Sequence, residues 1–343
     1  MAKSVKLADI AKQCGVSSVT VSKALSGQKG VSEEMREKIV SLADELGYKQ
    51  PSAKRVQEIP VKSYNIAVLI HEKYLDKYDS FYFRLYQTIA SSAVAKGSFT
   101  TLEIVNDMAE NSLSLPLTVQ ENKADGVIIM GKFSTEYIDM LISTPNHVPY
   151  VYLDTCDARV DMDSVISDSF YGSYYLTNYL FEMGHKKIGF MGNIMGTSSI
   201  TDRYLGYVKS LMEHGQDIKD ICIIDDRSEE TGIMFGSDKL KLPKVLPTAF
   251  VCNCDLAASV LIKRLEDEGY NVPDDFSVVG YDNYLFPGLC DVEITTYEVD
   301  MVEMVKKVLD IIIKRIEGKP YKAGINIVEG KMIIRDSVKR IAN

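Results

Sequence analysis

A chain of 343 residues, 46% hydrophobic and 25% charged, is long enough for two or three domains and apolar enough to bury a sizeable core. Its longest apolar runs, such as Ile66 to Ile70, have strand length, and none approaches the roughly 18 residues of a membrane-spanning helix. The opening residues Met1 to Lys6 lack the apolar stretch of a secretory signal, so a cytoplasmic protein with six reduced cysteines is expected. The formal charge of -9 argues against a nucleic-acid partner until it is divided along the chain. Residues 1–62 carry eleven Lys/Arg against seven Asp/Glu, a net +4, which leaves -13 for the remainder. A basic end on an acidic body fits a protein of which one part meets phosphate.

The spacing of Leu7, Ile10 and Ala11 predicts a short helix ending near Gln13, and Gly15 supplies a sharp turn. Ser17 is placed to cap a second helix reaching Leu25, with Thr20, Val21, Ala24 and Leu25 on its inner face. Ser32 is expected to cap a third, which runs to Leu46 with Glu33 and Glu34 in its first turn, where the helix dipole favours acids. Three short helices with a glycine turn between the first two form a helix-turn-helix head, and a generic three-helix cap is the competing reading. In the first reading the second helix enters a major groove, and its hydroxyls and Lys23 suit phosphates and base edges. Lys49 to Val61, with two prolines and several charges, reads as a linker.

From residue 62 onward strand-like and helix-like stretches alternate. Strands are expected at 65–70, 100–105, 126–130, 150–153, 188–191, 249–252 and 277–281, and helices at 81–95, 172–183, 203–213, 256–268 and 301–317. Such alternation implies parallel sheets flanked by helices, and the strands are too many for one compact sheet. Two doubly wound lobes are therefore expected, with a ligand cleft beyond the carboxyl ends of the strands. Cys252 and Cys254 would share a face of a strand and read as small apolar fillers. The four histidines are scattered, no nucleophile-base pair or phosphate-binding glycine loop is evident, and neither an enzyme, a metal nor a cofactor is expected.

The strings Leu7-Ala8-Asp9-Ile10-Ala11, Gly15-Val16-Ser17-Ser18-Val19-Thr20-Val21-Ser22, Val31-Ser32 and Leu46-Gly47-Tyr48 resemble the head of the lactose/galactose repressor family. The resemblance continues through Gly184-His185-Lys186-Lys187-Ile188-Gly189-Phe190, Arg203-Tyr204-Leu205-Gly206-Tyr207, Val279-Gly280-Tyr281-Asp282-Asn283, Ile294-Thr295-Thr296 and Ile333-Ile334-Arg335-Asp336-Ser337. These later stretches are shared with periplasmic sugar-binding proteins, so they imply the fold and a cleft more than regulation. The resemblance implies an all-α helix-turn-helix domain over 1–48, a hinge over 49–61 and an effector-binding domain over 62–343 of the type I periplasmic-binding-protein kind. Its N-lobe is expected at about 62–161 and 293–321, and its C-lobe at about 162–292 and 322–343.

By that resemblance Ser18 and Val19 take base-reading positions, with Ser17, Thr20 and Ser22 on phosphates. Lys23 replaces a frequent arginine and loses its planar fork. In the hinge, Lys54, Arg55 and Val56 are expected to meet DNA, and either Val56 or Gln57 takes the place of the family's minor-groove leucine. Ligand contacts are implied at Phe81, Asp168, Arg203, Asp255 and Asp282. Cys254 stands where an asparagine is usual, and Arg227 stands near a common aromatic, facing either an anionic group or solvent. The implied whole is a homodimeric repressor of carbohydrate-utilisation genes on a palindromic double-stranded operator, answering a sugar or related metabolite. A non-sugar effector such as a nucleobase, or a sugar receptor without DNA binding, are the alternatives.

Overall fold

The computed structural model describes residues 5–26, 28–48, 62–75, 80–145, 148–157, 162–229, 231–285 and 287–341. The chain divides into two compact units, Met1–Val61 and Lys62–Asn343. Lys54, Arg55, Val56 and Gln57 of the expected hinge lie outside the described residues.

In the first unit α1 (Leu7–Cys14), α2 (Ser18–Leu25) and α3 (Glu33–Glu45) enclose a core of Ile10, Ala11, Val21, Ala24, Ile39 and Ala43. Gly15 closes α1 at φ 67, a left-handed conformation that costs glycine little. The Ser17 hydroxyl accepts the Thr20 N–H at 3.1 Å, as its position predicts. Ser32 sits at the start of α3, yet its hydroxyl makes no capping bond. Arg36 of α3 donates to the carbonyls of Ala24 (2.8 Å) and Gln28 (2.7 Å), tying the end of α2 to the following loop.

In the second unit the strands are β1 (Asn65–His71), β2 (Phe99–Val105), β3 (Gly126–Met130), β4 (Tyr150–Leu153), β5 (Ser164–Ser167), β6 (Ile188–Met191), β7 (Ile223–Ile224), β8 (Ala249–Cys252), β9 (Ser277–Val279), β10 (Thr296–Glu298), β11 (Ile325–Val328) and β12 (Lys331–Ile333). The helices between them are α4 (Phe81–Ala95), α5 (Asp107–Asn111), α6 (Leu117–Gln120), α7 (Thr135–Ile142), α8 (Ser169–Glu182), α9 (Ser198–Glu213), α10 (Asp255–Asp267) and α11 (Met301–Ile316). One parallel sheet runs β11-β5-β4-β3-β1-β2 and a second runs β7-β6-β8-β9, with a small antiparallel pair β10-β12. The sheets are apolar on both faces because helices cover both. Ile66 to Ile70 of β1 are all fully buried, and truncating Leu69 or Ile70 to alanine would cost about 2–5 kcal/mol.

The strand partners move the lobe boundaries. β5 pairs with β4 and β11 pairs with β5, so 164–167 and 325–328 belong to the N-lobe, where the sequence reading assigned them to the C-lobe. Thr295 bridges Val279, which puts the start of the last third with the C-lobe instead. The chain thus crosses between lobes after β5, after β10 and after β11. These strands are four residues or fewer, too short for a readable alternation. Among the described residues no helix is long and apolar enough to cross a membrane.

Candidate DNA-reading helix and ligand cleft

In the head, Ser18, Val19, Ser22 and Lys23 of α2 are exposed together with the capping Ser17, while Thr20 is half-buried and bonded to the Ser17 hydroxyl. Val19 stands 64% exposed on a helix whose Val21 and Ala24 are buried. A core-facing helix does not need an apolar side chain there, whereas contact with a base methyl would use one.

In the second unit a cleft of ≈ 1860 Å³ opens between the lobes. Its walls come from the carboxyl ends of parallel strands: Glu72 to Leu75 after β1, Lys132 after β3, Asp154 after β4, Asn193 after β6, Arg227 after β7, Asn253 and Cys254 after β8, and Asp282 after β9. That placement follows from the doubly wound topology.

Arg203 projects from α9 and is 5% exposed. Its Nη2 donates to Asp282 Oδ1 at 3.0 Å, its Nη1 donates to the Asn253 carbonyl, and the guanidinium lies 3.8 Å from the Tyr281 ring centroid. Burial works against the charge of Arg203, but the Asp282 carboxylate more than offsets it, and the pKa stays above the usual range. Burial raises Asp282, with Arg203 pulling it back. Phe81 begins α4 at the cleft wall, edge-on to Tyr82 (5.5 Å) and Tyr284 (6.4 Å between centroids).

Two expected contacts are corrected. Asp168 does not line this cleft; it caps α8, accepting the Tyr171 N–H at 3.2 Å, and borders a smaller groove with Tyr175 and Glu329. Asp255 is 3% exposed behind the cleft wall, where Oδ2 accepts the Tyr284 N–H at 2.9 Å and holds that loop. Arg227 is not turned to solvent: it lines the cleft, with Nε and Nη2 donating to Asp226 Oδ2 at 3.0 and 2.6 Å. Cys254 does not share a strand face with Cys252. It caps α10 through Sγ, 3.4 Å from the Ala257 nitrogen, and burial pushes its thiol up to about 12.

The structure adds residues that sequence reasoning passed over. Asp154 follows β4 at φ 58 and accepts the Tyr82 hydroxyl at 2.8 Å. Burial raises its carboxyl to about 6, against the opposing pull of Arg203 and of the Tyr82 hydrogen bond. Asn253 donates to Asp226 Oδ2 at 2.9 Å. Both follow expected strands, so the strand-end rule alone would have flagged them.

His185 and His71 serve the structure. His185 bridges Thr248 (3.0 Å) and Ser277 (2.9 Å). His71, Asp107 and Glu110 come together closely enough to suggest a metal, with Nε2 2.9 Å from Glu110 Oε2. His71 Nδ1, however, accepts the Lys73 N–H at 3.2 Å, so the ring carries its proton on Nε2, facing the carboxylates; burial lowers its pKa. A metal ligand would need that proton on Nδ1, where a donor already points.

Residues 6–51 match the model of the bacterial regulatory proteins of the lacI family, and residues 177–338 match that of a periplasmic binding protein-like domain. The chain thus carries a lacI-family head and a periplasmic-binding-protein-like domain. The chain is 25% identical to the HTH-type transcriptional repressor PurR of Vibrio campbellii over 97% of its own length and 98% of the relative's. It is 26% identical to the PurR repressor of Mannheimia succiniciproducens over the same shares. Its fold matches the lac repressor dimer bound to operator and the anti-inducer ONPF, with a TM-score of 0.66, 21% identity and coverage of 98% and 100% of the two chains. It also matches the regulator CelR in its cellobiose complex, with a TM-score of 0.66, 20% identity and coverage of 97% and 99%. With that head and that domain, the protein is a DNA-binding transcriptional regulator with a ligand-binding domain, and not an enzyme.

Proposed function

We propose that this regulator acts as a homodimeric repressor of carbohydrate-utilisation genes, its two α2 helices reading the half-sites of a palindromic operator while a small effector in the interlobe cleft sets its affinity for DNA. The observation that carries the reading is the convergence of Arg203, Asp282, Asp154, Tyr82 and Phe81 from both lobes on one cleft. Paired charges present hydrogen-bonding edges there, and an aromatic wall covers a flat face. Because the lobes supply opposite walls, ligand and DNA influence one another only if each favours a different arrangement of the lobes.

Support for the dimer comes from the edge strand β2, where the apolar Phe99 is 63% exposed. An unpaired sheet edge with apolar side chains is the kind of surface a second copy covers. A flat heterocycle as effector is the second reading, favoured by the Phe81–Tyr284 pair at the cleft wall.

A thermal-shift screen of the full chain over sugars, sugar phosphates, sugar acids and nucleobases tests the cleft. A ligand at 100 times its Kd should add about 2.7 kcal/mol of stability. A shift that survives intact in Arg203→Ala would mean that the ligand binds elsewhere.

A further inference from the structure

Two arginines line the cleft, and their hydrogen bonding differs. The guanidinium of Arg203 is held on both sides by Asp282 and the Asn253 carbonyl. Arg227 places both Nε and Nη2 on one oxygen, Oδ2 of Asp226. Asp226 is fully buried and also accepts the Asn193 N–H on Oδ1 at 2.9 Å and the Asn253 amide on Oδ2 at 2.9 Å, so its acceptor sites are filled. The Nη1 edge of Arg227 has no acceptor among the described residues, and the side chain remains 17% exposed on the cleft wall.

Arg227 also stands at the base of a tight hairpin. It bridges Met234, the Ser228 N–H meets the Ile233 carbonyl at 2.9 Å, and the Gly232 N–H meets the Ser228 carbonyl at 2.8 Å. The tip reaches the opposite lobe, since a Cβ on Gly232 would lie 3.9 Å from Lys73 Cδ. Lys132 and Lys239 line the same space. Three inner carboxylates are already engaged, Asp282 by Arg203, Asp154 by the Tyr82 hydroxyl and Asp226 by Arg227, while Asp225 and Glu229 also line the cleft. On the rim, Glu72 accepts the Asp107 N–H, and Asp107 faces His71.

We propose that Arg227 is a specificity-determining residue that reads an oxyanion, a carboxylate or a phosphate, carried by the effector. The proposal rests on the cleft being the effector site. A neutral ligand would cover the outward N–H groups with uncharged acceptors. An oxyanion gives bonds about twice as strong, in the planar geometry that a guanidinium matches.

The test is to equilibrate the full-length protein with a bacterial metabolite extract, recover it by rapid filtration and identify retained small molecules by mass spectrometry. Wild type, Arg227→Gln, Arg227→Lys and Asp282→Asn are run in parallel after their melting curves show folded protein. The expected result is enrichment of a metabolite bearing a carboxylate or phosphate. Retention should fall roughly ten- to a hundredfold in Arg227→Gln, less in Arg227→Lys, and also in Asp282→Asn. Exact mass and sensitivity to phosphatase separate the two anions. Enrichment of neutral molecules alone, lost in Asp282→Asn but kept in Arg227→Gln, overturns the anion proposal and leaves the cleft reading standing. No enrichment by the wild type, or retention indifferent to Asp282→Asn, overturns both.

Discussion

Arg203 and Asp282 meet at 3.0 Å with side chains only 7% and 11% exposed, so the cleft floor is built on an ion pair almost removed from water. Neither residue is dispensable to the other. Removing the arginine leaves a buried carboxylate uncompensated, which costs about 3–5 kcal/mol. Arg203→Ala should therefore melt well below the wild type in a denaturation scan and lose its effector response. A variant with unchanged melting would show that the pair is not buried in solution.

Asp154 gives a pH signature. Its folded pKa of about 6 lies above the ordinary aspartate value of 3.8, so the native state holds the proton more tightly. The stabilisation is present in full below about pH 4 and is lost as the pH rises through about 6. The loss is on the order of 2–3 kcal/mol. Urea titrations from pH 4 to 7 should show a shallower decline for Asp154→Asn than for wild type. Parallel curves would rule out this residue as the source.

Asp168 separates capping from binding. As the N-cap of α8 it should cost about 1 kcal/mol when changed to alanine. Asp168→Ala should keep the full effector-induced thermal shift, because the residue borders a different groove. Loss of that shift would return Asp168 to the ligand site.

Helix packing in the C-lobe depends on Gly206. A Cβ there would stand 2.0 Å from the Phe170 carbonyl oxygen, and backbone cannot move aside cheaply. Gly206→Ala should destabilise by about 1–3 kcal/mol, measured by chemical denaturation. An unchanged midpoint would mean that α8 and α9 do not approach so closely.

In the head, Val19→Ala should leave stability within about 0.5 kcal/mol while changing which duplexes bind. Ser17→Ala should lower stability by about 1 kcal/mol through its lost cap. Equal effects of the two changes on every duplex would argue that Val19 touches no base.

The wholly apolar strands β3 and β8, the apolar run of β1 and the amphipathic helices α4 and α11 were legible because buried parallel strands and packed helices leave strong local patterns. β5, β10, β11 and β12 were not, since polar residues such as Ser164, Thr296, Asn326 and Lys331 break their apolar runs, and the two residues of β7 are too few to read. Phe81, Arg203 and Asp282 were placed in the cleft from their neighbours in sequence. Asp168 and Asp255 were misplaced because a carboxylate that caps a helix or holds a loop looks, in sequence, like one that waits for a ligand. Arg227 could not be assigned without seeing that Asp226 turns inward to meet it.

Selection from a pool of random duplexes with the full-length protein tests the regulator directly. Enrichment of a two-fold symmetric sequence is predicted, with affinity falling steeply as salt rises and with a changed consensus for Val19→Ala. Failure to enrich any sequence, or binding indifferent to substitutions along Ser17 to Lys23, would contradict it.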